Sequence, residues 1–172
     1  MLAPYRETDT IVLGIPAGGV PVGVIIAKQL NLPFDVSVVS KITLPWNTEA
    51  GYGAVAFDGT VKLNQELLPQ LGLSEEEVKE GIEKTTSKVA RRFRDLRGEQ
   101  PFPRLAGRSV ILVDDGIASG FTMLVAIEAL RGAKAEDIVV AVPTGHSGPV
   151  QNIAAEVEAF YCANVRGGWR FA

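Results

Sequence analysis

The sequence predicts an α/β protein of three layers, α/β/α, around a mostly parallel central sheet, with a β-hairpin and a long helix inserted. Three observations carry this reading. Val110 to Val113 is an unbroken apolar run, as expected of a strand covered on both faces. It ends on two carboxylates, Asp114 and Asp115, and a loop of small residues leading into an apolar-periodic helix from about Met123 to Arg131. The same strand-loop-helix order occurs near the start of the chain, where strand-helix-strand in little space implies a right-handed parallel crossover.

Taken in order, Thr10 to Ile15 form the first strand and enter Pro16-Ala17-Gly18-Gly19. A helix follows from about Pro21, a residue suited to a first helical position because it has no N–H to leave unpaired. Asn31-Leu32-Pro33 stops it, and Phe34 to Ser40 make a second strand closed by Lys41. Thr43 to Gly53 read as an irregular, glycine-bearing segment in which Trp46 and Tyr52 cover core. Asp58-Gly59-Thr60 between two β-prone runs is a hairpin signal. A short helix at Leu67-Leu68-Pro69 is stopped by Gly72. Ser74 with Glu77 makes a capping box opening a helix to about Leu96. Val78, Ile82, Val89, Phe93 and Leu96 on it recur at helical spacing and should face the body. Lys88, Arg91, Arg92, Arg94 and Arg97 place a basic cluster at its end, expected by default to be solvated, with contact to an anion or nucleic acid as the alternative. Gly98 to Arg104 connect it to the strand at Val110. After the following helix, Gly132-Ala133 make a stop and Asp137 to Val142 a further strand. Pro143 to Gly148 read as a polar loop holding His146, the only histidine, a candidate for substrate contact. Pro149 to Ala155 suggest a helix and Glu158 to Cys162 the last strand.

At 172 residues, the chain is expected to be one domain, residues 1–172. Its 47% apolar content and net charge of −3 fit a globular protein without a basic surface for nucleic acid. A single cysteine, Cys162, excludes an internal disulfide and fits a reducing, cytoplasmic setting. Thr10 to Ala27 lack charge, but Pro16, Gly18, Gly19 and Pro21 fit a strand-loop-helix better than a membrane span.

Chemistry concentrates where the strand at Val110 ends. Ligands of α/β sheets bind outside the carboxyl ends of the strands. A small-residue loop entering a helix leaves N–H groups free for an anion, helped by the helix dipole. Two carboxylates beside such a cradle can accept hydrogen bonds from a diol or hold hydrated Mg²⁺. The strand-loop-helix thus suits a sugar phosphate.

From Val110 to Thr122 (Val-Ile-Leu-Val-Asp-Asp-Gly-Ile-Ala-Ser-Gly-Phe-Thr) the chain resembles the phosphoribosyl-pyrophosphate (PRPP) motif of type I phosphoribosyltransferases. The resemblance implies that family's fold over essentially the whole chain and transfer of a phosphoribosyl group to a nitrogenous base, with Mg²⁺ as cofactor. It assigns Asp114 and Asp115 to the ribose hydroxyls, directly or through metal-bound water, and Gly116, Ile117, Ala118, Ser119, Gly120, Phe121 and Thr122 to the 5′-phosphate. Ala17, Gly18, Gly19 and Lys41 would meet pyrophosphate, Ala17 standing where close relatives usually carry arginine. The segment around Thr43 to Gly53 would correspond to a mobile loop that closes over PRPP. Family members are often homodimers, and Trp46, Trp169 or Phe171 are candidates for such an interface. A PRPP- or nucleotide-sensing regulator on the same fold is the alternative to an enzyme.

Overall fold

The computed structural model describes residues 1–167 and contains two sheets. The first is five-stranded and wholly parallel. Its strands are β1 (Ile11–Gly14), β2 (Phe34–Val36), β6 (Val110–Val113), β7 (Ile138–His146) and β8 (Ala159–Arg166), in the order β2-β1-β6-β7-β8. The second is antiparallel and comprises β3 (Val39–Leu44), β4 (Asn47–Ala56) and β5 (Val61–Leu63). Four α-helices, α1 (Gly19–Leu30), α2 (Glu75–Arg97), α3 (Phe121–Gly132) and α4 (Ser147–Ala154), and two 3-10 turns, Ala3–Tyr5 and Leu68–Gln70, complete the described residues, the second turn standing where a short helix is expected.

Successive side chains of a strand point to opposite faces, and the core divides accordingly. Leu13, Val110, Leu112 and Val140 join α3 and Ile153 of α4 in one apolar cluster. Val12, Ile111, Val113 and Val139 pack with Ala27 and Leu30 of α1 in another. With the α1 layer, the sheet and the α3/α4 layer, the three-layer expectation holds. The second sheet then adds to it. Val39, Ala54 and Ala56 join the cluster containing α3, whereas Ile42, Leu44 and Val55 pack with Val89 and Phe93 of α2. Helix α3 therefore lies between two sheets, which explains why Met123, Val125, Ala126, Ile127, Ala129 and Leu130 are all buried. A helix apolar around most of its circumference needs cover on more than one side.

Several boundaries differ from expectation, each for a local reason. The run Phe34 to Ser40 is two strands: Ser37 N–H donates to Gly14 O at 3.0 Å as the last tie to β1, and Val39 begins the second sheet. Lys41 therefore lies inside β3, opposite Ala54, rather than at a strand end. Thr43 to Gly53 is largely ordered as β3 and β4, with register shifts around Thr43 absorbing its irregularity. Tyr52 is buried as expected, but Trp46 is exposed. The residues read as a loop after Val142 continue β7 to His146, paired with Asn164, Val165 and Arg166 of a longer β8. Trp169 and Phe171 fall outside the described residues.

The hairpin and the long helix stand as expected. Gly59 takes φ 88° between β4 and β5, a conformation glycine reaches without a Cβ penalty. Ser74 accepts from Glu77 N–H at 3.2 Å while the Glu77 carboxylate accepts from Ser74 N–H at 2.8 Å, completing the capping box. Leu96, expected to face inward, is exposed. Arg97, expected in a solvated basic end, is instead the anchor of α2. Its Nε and a terminal nitrogen donate to the two oxygens of Asp35 at 2.7 and 2.8 Å, and it also donates to the carbonyls of Gln100 and Pro101. Its guanidinium lies 4.9 Å from the Phe93 ring centre and 5.1 Å from that of Phe102. This bidentate pair ties the end of α2 to β2. Breaking a buried pair leaves one charge uncompensated. Asp35→Ala should therefore lower the unfolding free energy by roughly 2–4 kcal/mol, measured by urea denaturation, and an unchanged midpoint would show that α2 is not held this way.

Candidate active site

The carboxyl ends of β1 and β6 lie side by side, in register Gly14 to Val113, so the loops that follow them must share one space. They do so by contact. A Cβ on Gly18 would overlap the Asp115 carboxylate, and one on Gly19 would overlap Val113 O and stand 3.0 Å from Asp114 Cα. Gly19 requires glycine because backbone already occupies the space, and at Gly18 a side chain would force the exposed Asp115 carboxylate to move. The Pro16–Ala17 peptide is cis. Ile15 N–H donates to Val113 O at 2.8 Å, tying the two loops at their roots.

The β6–α3 loop is braced from the other side by the extension of β7. Ile117 N–H donates to Thr144 O at 3.0 Å, and His146 N–H donates to Ile117 O at 2.9 Å. The Ile117 side chain is buried in the core, so this residue secures the loop and its N–H is already engaged. Gly120, with φ 76°, is the N-cap of α3. The amides of Ala118, Ser119 and Gly120 have no backbone acceptor among the described residues, and the Ser119 hydroxyl reaches only Phe121 N–H, at 3.5 Å. Unpaired donors at a helix start form an anion cradle.

The acids occupy different environments. Asp115 is exposed and Asp114 half-buried. Asp114 Oδ1 accepts from Asp115 N–H at 2.8 Å. Burial raises the Asp114 pKa to about 7, with the neighbouring Asp115 charge adding to the rise and the backbone hydrogen bond opposing it.

A cleft of about 300 Å³ opens in front of the acid pair, and neither Gly19 nor Gly116 through Phe121 lines it. It brings together Ala17, Gly18, Lys41, Asp114, Asp115 and Thr122, residues singled out in the sequence from three separate stretches. Gly19 lies in the first turn of α1, and Gly116 through Phe121 form the adjoining loop and helix start. Lys41 Nζ donates to Glu49 O at 3.1 Å across the β3–β4 ladder. The cleft also has a wall made by Ser40, Thr43 and Thr48 of the second sheet, the last two within the segment expected to close over PRPP, and by Lys88 and Arg92 of α2, from the basic cluster whose default expectation was a solvated helix end. The clue available was the four-residue spacing of Lys88 and Arg92, which sets them on one helix face. A larger cleft of about 400 Å³ lies beside α1, lined by Leu2, Val22, Ile26 and Tyr161 among others, and contains no carboxylate.

A parallel sheet whose adjacent loops set an acid pair beside a helix-start anion cradle defines an α/β protein of phosphoribosyltransferase type. The chain belongs to the phosphoribosyl transferase domain family, whose model matches residues 57–165. Over 166 residues it is 38% identical to a protein of Mycobacterium tuberculosis, strains H37Rv and CDC 1551, provisionally described as a phosphoribosyl transferase. That alignment covers 94% of this chain, which spans 36% of the length of these curated relatives. Among solved structures, protein TT1426 of Thermus thermophilus is similar at a TM-score of 0.76 and 30% identity, covering 99% of this chain and 80% of that one. The purine phosphoribosyltransferase of Pyrococcus horikoshii shares the fold, with a TM-score of 0.51 and 15% identity over 99% of this chain and 82% of its own. No helix among the described residues is long and apolar enough to cross a membrane.

The raised Asp114 pKa has a consequence for stability. Below about pH 4 the carboxyl is neutral in the folded and unfolded chain alike. Between the ordinary 3.8 and about 7 the unfolded chain gives up its proton first, so folding stability falls as pH rises. Asp114→Asn removes this dependence while keeping an acceptor for Asp115 N–H. The variant should be more stable than the parent at pH 8, by on the order of 1–3 kcal/mol, with the difference vanishing near pH 4. Denaturation series at the two pH values measure it, and equal stability at pH 8 would mean that Asp114 is not buried at a cost.

Proposed function

We propose that this chain, as one domain, binds PRPP and transfers its 5-phosphoribosyl group to a nitrogen of a base, releasing pyrophosphate. The observation that carries the reading is the meeting of the acid pair Asp114–Asp115 with Gly18 in one cleft beside an open-amide loop. A plain phosphate ester would need only the loop. An acid pair adds acceptors for vicinal hydroxyls, and the space beyond it admits a second phosphate group.

In this reading the 5′-phosphate sits on Ala118, Ser119 and Gly120 N–H groups and the hydroxyls of Ser119 and Thr122. Asp114 and Asp115 accept from the ribose hydroxyls. The diphosphate at C1 lies toward Ala17, Gly18 and Lys41. The C1–O bond breaks as the base nitrogen forms its bond to C1 from the opposite face, and the base loses its proton. Positive charge builds on the ribose ring, so holding the donor and neutralising the leaving diphosphate matter more than a protein nucleophile.

The donor set suits Mg²⁺. Two adjacent carboxylates are hard oxygen ligands, and the half-buried Asp114 would be relieved by a neighbouring dication. No group of three or more His, Cys, Asp or Glu side chains is placed to hold an ion among the described residues, so substrate oxygens and water would complete the shell. When bound, Mg²⁺ supplies charge neutralisation for the leaving diphosphate.

Asp114→Asn combined with Asp115→Asn should abolish PRPP binding, a loss of at least about 100-fold, while the thermal unfolding transition persists. Calorimetric titration with PRPP and Mg²⁺ tests this, and unchanged affinity would reject the site assignment. Pyrophosphate release over a panel of purines, pyrimidines and other nitrogen bases tests turnover. Release with any base supports transfer, whereas binding with silence across the panel supports a sensor.

A further inference from the structure

We infer that Lys88 and Arg92 of α2 form the cationic half of a diphosphate subsite in the cleft that the acid pair also lines. The inference rests on the PRPP reading for the identity of the donor and names residues that reading does not use. Lys88 and Arg92 stand one helical turn apart and line the same cleft as Asp114 and Asp115. Neither takes part in an ion pair or a side-chain hydrogen bond among the described residues, and the acids opposite lie beyond ion-pair distance of them. Like charges one turn apart destabilise each other unless an anion lies between or before them. The other basic residues of this helix behave differently: Arg97 is consumed by Asp35, and Arg91 and Arg94 are exposed and line no part of the cleft.

Three further features point to an anion at this wall. The β1–α1 loop brings no cation of its own, since Ala17 and Gly18 line the cleft there. Lys41 is partly engaged by Glu49 O. Ser40 lines the same cleft, is 4% exposed, and its hydroxyl has no partner among the described residues. A buried hydroxyl without a partner is uncommon, and a phosphate oxygen or its water would satisfy it. The helix is also fixed well enough to present cations rather than trail them: Val89, between Lys88 and Arg92, is buried against the second sheet, and Arg97 locks the helix end. Arg92 is half-buried, where a guanidinium can give paired hydrogen bonds to phosphate oxygens.

The test is calorimetric titration of the full chain with three probes in millimolar Mg²⁺: inorganic pyrophosphate, PRPP and ribose 5-phosphate. The variants are Lys88→Gln, Arg92→Gln, both together, and Arg92→Lys. The double variant should lose roughly 10- to 100-fold in affinity for pyrophosphate and PRPP, with ribose 5-phosphate binding unchanged because that ligand lacks the diphosphate. Arg92→Lys should recover part of the loss. Pyrophosphate affinity equal to that of the parent, or an equal loss for all three probes, would overturn the subsite. Should the double variant fail to show a cooperative thermal transition, Lys88→Gln decides alone, since Lys88 is exposed. A parent chain that binds pyrophosphate but neither PRPP nor ribose 5-phosphate would refute the donor reading and leave the subsite to be judged on pyrophosphate. A parent that binds none of the three refutes both.

Discussion

The site depends on two loops being allowed to touch. Because β1 and β6 are adjacent and parallel, the chain leaves both strands at the same edge, and the first residues of each loop compete for the same volume. Gly18 and Gly19 resolve the competition by having no side chain where Asp115 and the Val113 carbonyl stand. From that contact follow the position of α1, whose first residue is Gly19, the enclosure that raises the Asp114 pKa, and the common wall that makes one cleft of two loops. Any side chain at Gly18 would have to displace the Asp115 carboxylate, so this glycine and this acid act as one unit although more than half of the chain separates them in sequence.

A second constraint comes from α3. Its first turn opens on the cleft, which Thr122 lines, while the rest of it has hardly any polar face to offer water. The parallel sheet covers one side and the β3–β4–β5 sheet another. The inserted sheet then has an outer face of its own, on which Ile42, Leu44 and Val55 need cover, and α2 supplies it. Burial demand is thus handed outward layer by layer until it reaches α2, the one long helix with a mostly charged sequence. Arg97 fixes the end of that helix by a bidentate contact and aromatic stacking, a geometry lysine could not reproduce.

What the sequence disclosed followed from how local each feature is. The capping box, the Asp-Gly hairpin turn and the apolar strand at Val110 are determined by a few adjacent residues, and the structure shows all three. The break at Ser37 was hidden because Val36 to Ser40 is uniformly β-prone, and only the competition between two sheets decides where the chain turns. The extension of β7 through Pro143 to His146 was hidden by composition: proline and glycine suggest a loop, yet β8 and Ile117 offer them partners. The elements carrying Ala17, Gly18, Lys41, Asp114, Asp115 and Thr122 could be read from motifs, and the fold brings these six together. The α2 wall could be read only as one of two alternatives, because a basic run at the end of a helix looks the same whether it faces water or an anion.

The resulting division of charge has a physical logic. Acids placed at the end of a buried strand gain a fixed position but suffer desolvation, as the raised Asp114 pKa records. Cations need length and hydration, and Lys88 and Arg92 meet this need from a surface helix packed outside the second sheet. Within the cleft the two sets face each other without pairing, so neither neutralises the other before a ligand arrives. The two walls thus offer one cleft both carboxylate acceptors and cationic donors. The separation of the two walls is the relative placement of α2 and the parallel sheet. That placement is set far from the chemistry, by the Asp35–Arg97 pair and the apolar layers between.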